Sequence, residues 1–370
     1  MSGGGLEKTI TFGVSNEGMK INNKIVYKNL DKLYLASPSQ QIDDRSKWVI
    51  FSDLHMGDGS SSDDFKRNSE LFQLALSNYY LKNSFSLLLN GDVEELQKFA
   101  FNKILKAWPE VFKAFDQFAS FDRLVKTIGN HDLDLTSMEE KPYDYFLTEG
   151  FKLKYKEDSL FLYHGHQASK KYQKHNELVG FTLKYFGKPL GIKNYSVSHS
   201  STKQYKLEKK LYHYSSKRRV VSIIGHTHRP LFESLNKVER LKFMIEQLCR
   251  DYSEHRIKDI SADIKEYKKE LKKHFKENQD YNFQHYVYND AYLVPCLFNS
   301  GTVIGKRGMT CLEIEGEKIR LVHWFDKNIS KKYLKQTGYA PEQLQGTDFY
   351  RMVINEESLE YIFTRIKFLS

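Results

Sequence analysis

With 370 residues, 40% hydrophobic and 14% aromatic, the chain can bury the core of one large or two modest domains and is too apolar to be disordered. Its unbroken apolar runs, such as Trp48–Phe51 and Leu87–Leu89, are short and fall well below the roughly 20 residues that a membrane-spanning helix needs. The formal net charge of +10 is concentrated: residues 168–219 hold thirteen Lys and Arg against Glu177 and Glu208, a segment net of +11, so an anionic partner or substrate is expected there.

Residues 1–45 are rich in Asn, Lys and Ser and are expected to be an N-terminal extension with a strand or two, beginning at Thr9-Ile10-Thr11-Phe12. The start, Met1 to Lys8, lacks the basic and apolar blocks of a secretory signal. Three widely spaced cysteines (Cys249, Cys296, Cys311) make no disulfide framework or zinc cluster, and a soluble, cytoplasmic protein is expected.

From Lys47 a pattern repeats: a short apolar run stops abruptly in a cluster of Asp, His, Asn and Gly. Trp48–Phe51 leads to Asp53-Leu54-His55, and Leu87–Leu89 to Gly91-Asp92. Leu124–Ile128 leads to Gly129-Asn130-His131-Asp132, Leu160–Tyr163 to His164-Gly165-His166, and Val220–Ile224 to Gly225-His226-Thr227-His228. Such runs are buried strands of an α/β sheet, whose following polar residues converge on one edge. Helical periodicity appears around 66–82 and 98–118.

Two insertions interrupt this plan. Segment 168–219 carries eight aromatics among its lysines (Tyr172, Phe181, Tyr185, Phe186, Tyr195, Tyr205, Tyr212, Tyr214) and is expected to cover the site as a lid for an anionic substrate. Lysine stems covering an apolar face are its blander alternative, and base stacking on nucleic acid is ranked lower because no nucleic-acid-binding fold signature accompanies it. Segment 233–285 has no Gly or Pro, balances 12 basic against 11 acidic residues, and predicts a charged helical hairpin with a break near Ser253, an arm for oligomerisation or a partner. Strands resume at Leu293–Phe298, Met309–Ile314 and Ile319–Phe325, and 331–370 is expected to be a small C-terminal extension. The main domain is thus 46–330.

Six of the 13 histidines lie in the strand-end clusters beside Asp53, Asp92, Asn130 and Asp132. A lone Asp-x-His is ordinarily a surface turn, but five such clusters in succession at strand ends point to a dinuclear metal site. Imidazole and carboxylate donors suit Mn, Fe, Co or Zn, and the i, i+2 spacing in extended chain lets both members of a pair reach one centre. A carboxylate must bridge two ions, and Asp92 is well placed to do so. No Ser or Cys nucleophile constellation stands out. Gly301–Lys306 is one residue short of a phosphate-binding loop and lacks the following Ser or Thr.

These five motifs resemble the signature set of the calcineurin-like metallophosphoesterases, over about 47–232 and 290–325, with Asn299-Ser300-Gly301 after a late strand. The resemblance implies a four-layer α/β sandwich, two mixed sheets face to face with helices outside and two divalent metal ions at one sheet edge. By motif, Asp53, His55, Asp92 and His228 would hold one ion, and Asp92, Asn130, His164 and His226 the other. His131 would stabilise or protonate the leaving oxygen, Asp132 would orient His131, and His166 would contact substrate or the ligands themselves. A water between the ions would attack phosphorus of a mono-, di- or pyrophosphate ester. The Gly-Asp-Val-Glu-Glu-Leu stretch and the long fourth-to-fifth-motif insert resemble the branch containing UDP-2,3-diacylglucosamine pyrophosphatases, from which the chain departs by His131 in place of Arg and by the insert at 233–285. His164-Gly165-His166-Gln167 resembles a scaffold member of the same fold, but such scaffolds usually lack ligands, and all seven are present here.

Overall fold

The computed structural model describes residues 16–138, 145–169, 201–235, 237–255, 258–277, 293–334 and 340–370. The strands in chain order are β1 (Ser39–Ile42), β2 (Lys47–Phe51), β3 (Ser86–Asn90), β4 (Leu124–Thr127), β5 (Leu147–Thr148), β6 (Gly150–Tyr155) and β7 (Asp158–Tyr163). They continue as β8 (Val221–Ile224), β9 (Leu297–Asn299), β10 (Met309–Glu315), β11 (Lys318–Asp326), β12 (Glu342–Gln343) and β13 (Phe349–Ser358). The described α-helices are α1 (Asn16–Ala36), α2 (Ser69–Ala75), α3 (Phe101–Ala107), α4 (Pro109–Ser120), α5 (Ser201–Arg218), α6 (Lys237–His255), α7 (Lys258–Glu277) and α8 (Leu359–Leu369). None is long and apolar enough to cross a membrane.

The strands form two mixed sheets: an eight-stranded one in the order β12-β13-β11-β10-β2-β3-β4-β5, and a five-stranded one, β1-β6-β7-β8-β9. Alternation along the strands explains why they stack. Trp48, Ile50, Leu88, Leu312 and Ile314 face inward and pack with Leu160, Leu162, Ile223 and Phe298 of the smaller sheet. Their neighbours Val49, Phe51, Leu87, Leu89 and Cys311 face outward, onto Phe72, Phe112, Phe115 and Phe118 of α2 and α4. Burial on both faces is why these strands read as continuous apolar runs. Val26 and Leu30 of α1 and Leu207, Leu211, Tyr212 and Tyr214 of α5 cover the smaller sheet from outside, giving four layers.

Several expectations need correction. The N-terminal extension is helix α1 followed by an edge strand: β1 pairs parallel with β6, from Ser39 opposite Lys152 to Ile42 opposite Tyr155. Thr9–Phe12 lies outside the described residues. Part of the supposed lid is core instead. Tyr212 and Tyr214 are buried, and the Tyr212 hydroxyl accepts from the Val294 amide at 3.1 Å. The other expected lid aromatics except Tyr205 lie outside the described residues. The hairpin is α6 and α7, with Ser253, the expected break, inside α6, and Val238 and Leu241 at its base are its buried apolar side chains among the described residues. The tail is no appendage. β13 pairs antiparallel with β11 from Asp326 opposite Phe349 to Lys318 opposite Ser358, and Leu359, Ile362, Phe363 and Ile366 of α8 enter the inner core.

Candidate metal centre

Strands β2, β3 and β4 are mutually parallel, as are β7, β8 and β9, so their C-terminal ends and the loops beyond them meet at one edge of the sandwich. The first two loops stay zipped past the strands: Asp53 N donates to Gly91 O (3.1 Å), Leu54 N and His55 N to Asp92 O (2.9 and 3.0 Å), and Met56 N to Val93 O (2.8 Å). Asp53, His55, Asp92, His226 and His228 all have left-handed backbones, with φ between 49° and 64°. For non-glycine residues each such conformation costs of order 1–3 kcal/mol and persists only where the surrounding structure holds it. Glycine at 91 (φ +81°) is required because a Cβ there would sit 2.6 Å from the His164 ring, and at 129 because a Cβ would overlap the Asp92 carboxylate.

The side chains converge. His164 Nε2 lies 3.0 Å from Asp92 Oδ2, and His228 Nε2 lies 3.1 Å from Asp53 Oδ1. His55 Nε2 and His228 Nε2 face each other at 3.0 Å. Three overlapping donor sets result, Asp53/His55/His228, His55/Asp92/His131 and Asp92/His164/His226, each with its donor atoms within 4.8 Å of one another. Asn130 precedes His131, whose amide donates to Asp92 Oδ1 at 2.8 Å. His164 donates Nδ1–H to Asn90 O (2.9 Å), which turns Nε2 toward the carboxylates.

The donor chemistry fits divalent cations. Asp53 and Asp92 are fully buried carboxylates, and Asn130 Oδ1 and His226 Nε2 are buried without a hydrogen-bond partner among the described residues. Buried charge needs compensation of opposite sign. Within the cluster, burial disfavours the charged form of Asp92, yet His164 and His131 outweigh it and hold its carboxyl well below the usual range. Burial likewise opposes a charged His164, but Asp92 and Asp53 raise it to about 10. Burial and the neighbouring His164 depress His226 to about 3. The buried carboxylates thus favour positive charge beside them, while His226 is kept neutral, the form in which an imidazole donates to a metal.

Asp132 does not have its expected role. Its two carboxylate oxygens accept from the backbone amides of Gly129 (2.5 Å) and Val93 (2.9 Å), tying the second loop to the third, and burial pushes its carboxyl up to about 7. His131 is oriented by Glu95, a residue absent from the sequence-based set. His131 Nδ1 lies 2.7 Å from Glu95 Oε1, and His55 Nδ1 lies 3.0 Å from Glu95 Oε2. Burial opposes a charged His131, but Asp92 and Glu95 outweigh it and raise its pKa. The available sequence signal was an acid three residues after Asp92. His166 belongs to none of the donor sets; its buried ring centre lies 5.5 Å from that of His164 and 6.3 Å from that of His226. Asn299 supports the loops by donating to Gly225 O (2.9 Å), and Ser52 bridges Asp53 Oδ2 (2.6 Å) and Ser300 Oγ (2.7 Å).

Among solved structures, similarity extends to a "conserved uncharacterized protein (predicted phosphoesterase)" from Streptococcus pneumoniae TIGR4, at 11% identity and TM-score 0.28 over 75% of this chain and 89% of that one. Vacuolar Protein Sorting 29 from Cryptosporidium parvum is similar at 12% identity and TM-score 0.32 over 85% of this chain and 100% of that one. No curated protein matches the sequence. The family model for calcineurin-like phosphoesterases matches residues 46–253, more than half of the chain and all five motif loops. The chain belongs to the calcineurin-like phosphoesterase family.

Proposed function

We propose that the chain hydrolyses a phosphomonoester, phosphodiester or pyrophosphate with two divalent cations, Mn, Fe, Zn or Co. The observation that carries this reading is the meeting of Asp53, Asp92 and the imidazoles of His55, His164, His226 and His228 at one buried edge. Asp53, His55, Asp92 and His228 would hold one ion, and Asp92, Asn130, His164 and His226 the other, with Asp92 shared. Such a pair, when bound, polarises the phosphoryl oxygens and makes a water nucleophilic near neutral pH.

The rest belongs to the chain's own residues. Glu95, accepting the Nδ1 proton of His131, leaves Nε2 facing the donor cluster, 4.0 Å from Asp92 Oδ2. There the imidazole is placed to donate a proton to the leaving oxygen or to stabilise charge growing on it. Lys98, more than half exposed and 3.8 Å from Glu95 Oε2, would add a positive charge beside the His131 pair for an anionic substrate. His166, beside His164 and His226, would set their environment or contact the substrate. The basic segment 168–219 would raise the local concentration of anionic substrate.

The test is hydrolysis of p-nitrophenyl phosphate and bis(p-nitrophenyl) phosphate with added Mn²⁺. Wild type is expected to turn over at least one ester and Asp92→Asn neither. A folded, Mn²⁺-loaded wild type inert on both esters and on pyrophosphates, UDP-linked lipids included, would overturn the proposal in favour of a scaffold.

A further inference from the structure

The left-handed backbones at His226 (φ 64°) and His228 (φ 55°) flank Thr227, and such geometry persists only where its surroundings over-determine it. The first two motif loops are held by hydrogen bonds to one another, whereas the loop carrying His226 and His228 is gripped largely by side chains from outside the five motifs. Thr227 Oγ1 donates to Glu208 Oε1 (2.7 Å) and accepts from Asn299 Nδ2 (2.9 Å), and Gln204 Nε2 donates to Thr227 O (2.8 Å). Glu208 is buried, and Arg229 meets its charge through Nε at 3.3 Å and through Nη2. Gln204 and Glu208 stand four residues apart in α5, on one face of the helix. Both contacts end on the single residue between two candidate ligands, and the loop is also tied to Asp53, whose carboxylate accepts from His226 N at 3.0 Å.

We infer that Gln204 and Glu208 are positioning residues for the His226–His228 pair, so that α5 sets how tightly the site holds its cations. The inference rests on the metal-centre reading above and names the residues that tune it. Partners that orient ligands in this way are worth about 10–100-fold in metal affinity. Both act through Thr227.

The experiment uses the full chain and Mn²⁺ alone, with binding followed by titration calorimetry and the metal-free melting temperature recorded beside it. Thr227→Val keeps the shape but removes the hydroxyl, Thr227→Ser restores it, and Gln204→Ala and Glu208→Gln alter one α5 contact each. Thr227→Val and Gln204→Ala are expected to weaken Mn²⁺ binding about 10–100-fold with little change in metal-free melting, and Thr227→Ser to recover most of the loss. Wild-type affinity in all four variants, or losses that merely follow the metal-free melting temperature, would overturn the inference. Should Thr227→Val fail to fold, Gln204→Ala, which removes one hydrogen bond, decides the matter in the same way. A wild type that binds no divalent cation would sink the metal-centre reading itself, a different result from a wild type that binds and variants that bind equally well.

Discussion

Glu95 holds two imidazoles at once, one oxygen on His55 and the other on His131, although the two histidines lie 76 positions apart in the chain. Burial opposes its charge, but the hydrogen bonds from His131 and His55 outweigh it and lower its carboxyl to about 2. Residues 92, 95, 131 and 132 should therefore separate by phenotype. Asp92→Ala is expected to lose bound metal and turnover together, by elemental analysis and steady-state kinetics on one preparation. His131→Ala should retain metal and lose about 10²–10⁴-fold in kcat; equal metal loss in both variants would refute the division of roles. Glu95→Gln should keep most of the metal and lower kcat about 10–100-fold, since it disturbs the ring orientation without removing a donor. Asp132→Ala leaves two buried amides unpaired and should cost about 2–6 kcal/mol in denaturant unfolding.

At the scale of elements, the tail shows how a segment can be peripheral in sequence and central in structure. β13 borders β11 along nine paired residues, and α8, capped by Ser358 accepting from Tyr361 N, buries one face against the smaller sheet. Ile362→Ala is expected to cost about 2–5 kcal/mol, measured as a lower denaturant midpoint at unchanged slope. A cost below about 0.5 kcal/mol would mean that α8 is not part of the cooperative core. Helix α5 teaches the same lesson in the opposite sense. Its lysines mark a cationic surface, yet Leu207, Leu211, Tyr212 and Tyr214 bury its other face and Gln204 and Glu208 reach the ligand loop. The tyrosines of α5 read alike in the sequence, and only packing decides which face the core.

For the whole molecule, two sheets end their parallel strands at a common edge, and that edge gathers the carboxylates and imidazoles. Bringing them together costs desolvation and backbone strain that bound cations would offset, so folding and metal binding should be linked. At a cation concentration 100 times the dissociation constant, linkage supplies about 2.7 kcal/mol, and chelation should lower the melting temperature correspondingly. An identical melting curve with and without Mn²⁺ would contradict this.

The five strand-and-cluster units were legible in the sequence because a strand buried on both faces must be apolar throughout, and a donor group must sit where the strand stops. Asp53, His55, Asp92, Asn130, His131, His164, His226 and His228 could be named from that pattern. Glu95 could not, since an acid three residues after another is ordinarily solvated, and the exchange of roles between Glu95 and Asp132 depended on which of the two buried carboxylates the loops turned toward His131. Helix α1, the pairing of β13 with β11, and the reach of Gln204 and Glu208 to Thr227 are likewise contacts between segments far apart in the chain. Local chemistry is written in residue order, so the sequence by itself determined the kind of centre proposed and most of its candidate donors. Orientation arises only when distant surfaces meet, so the tertiary structure alone decided which groups aim those donors.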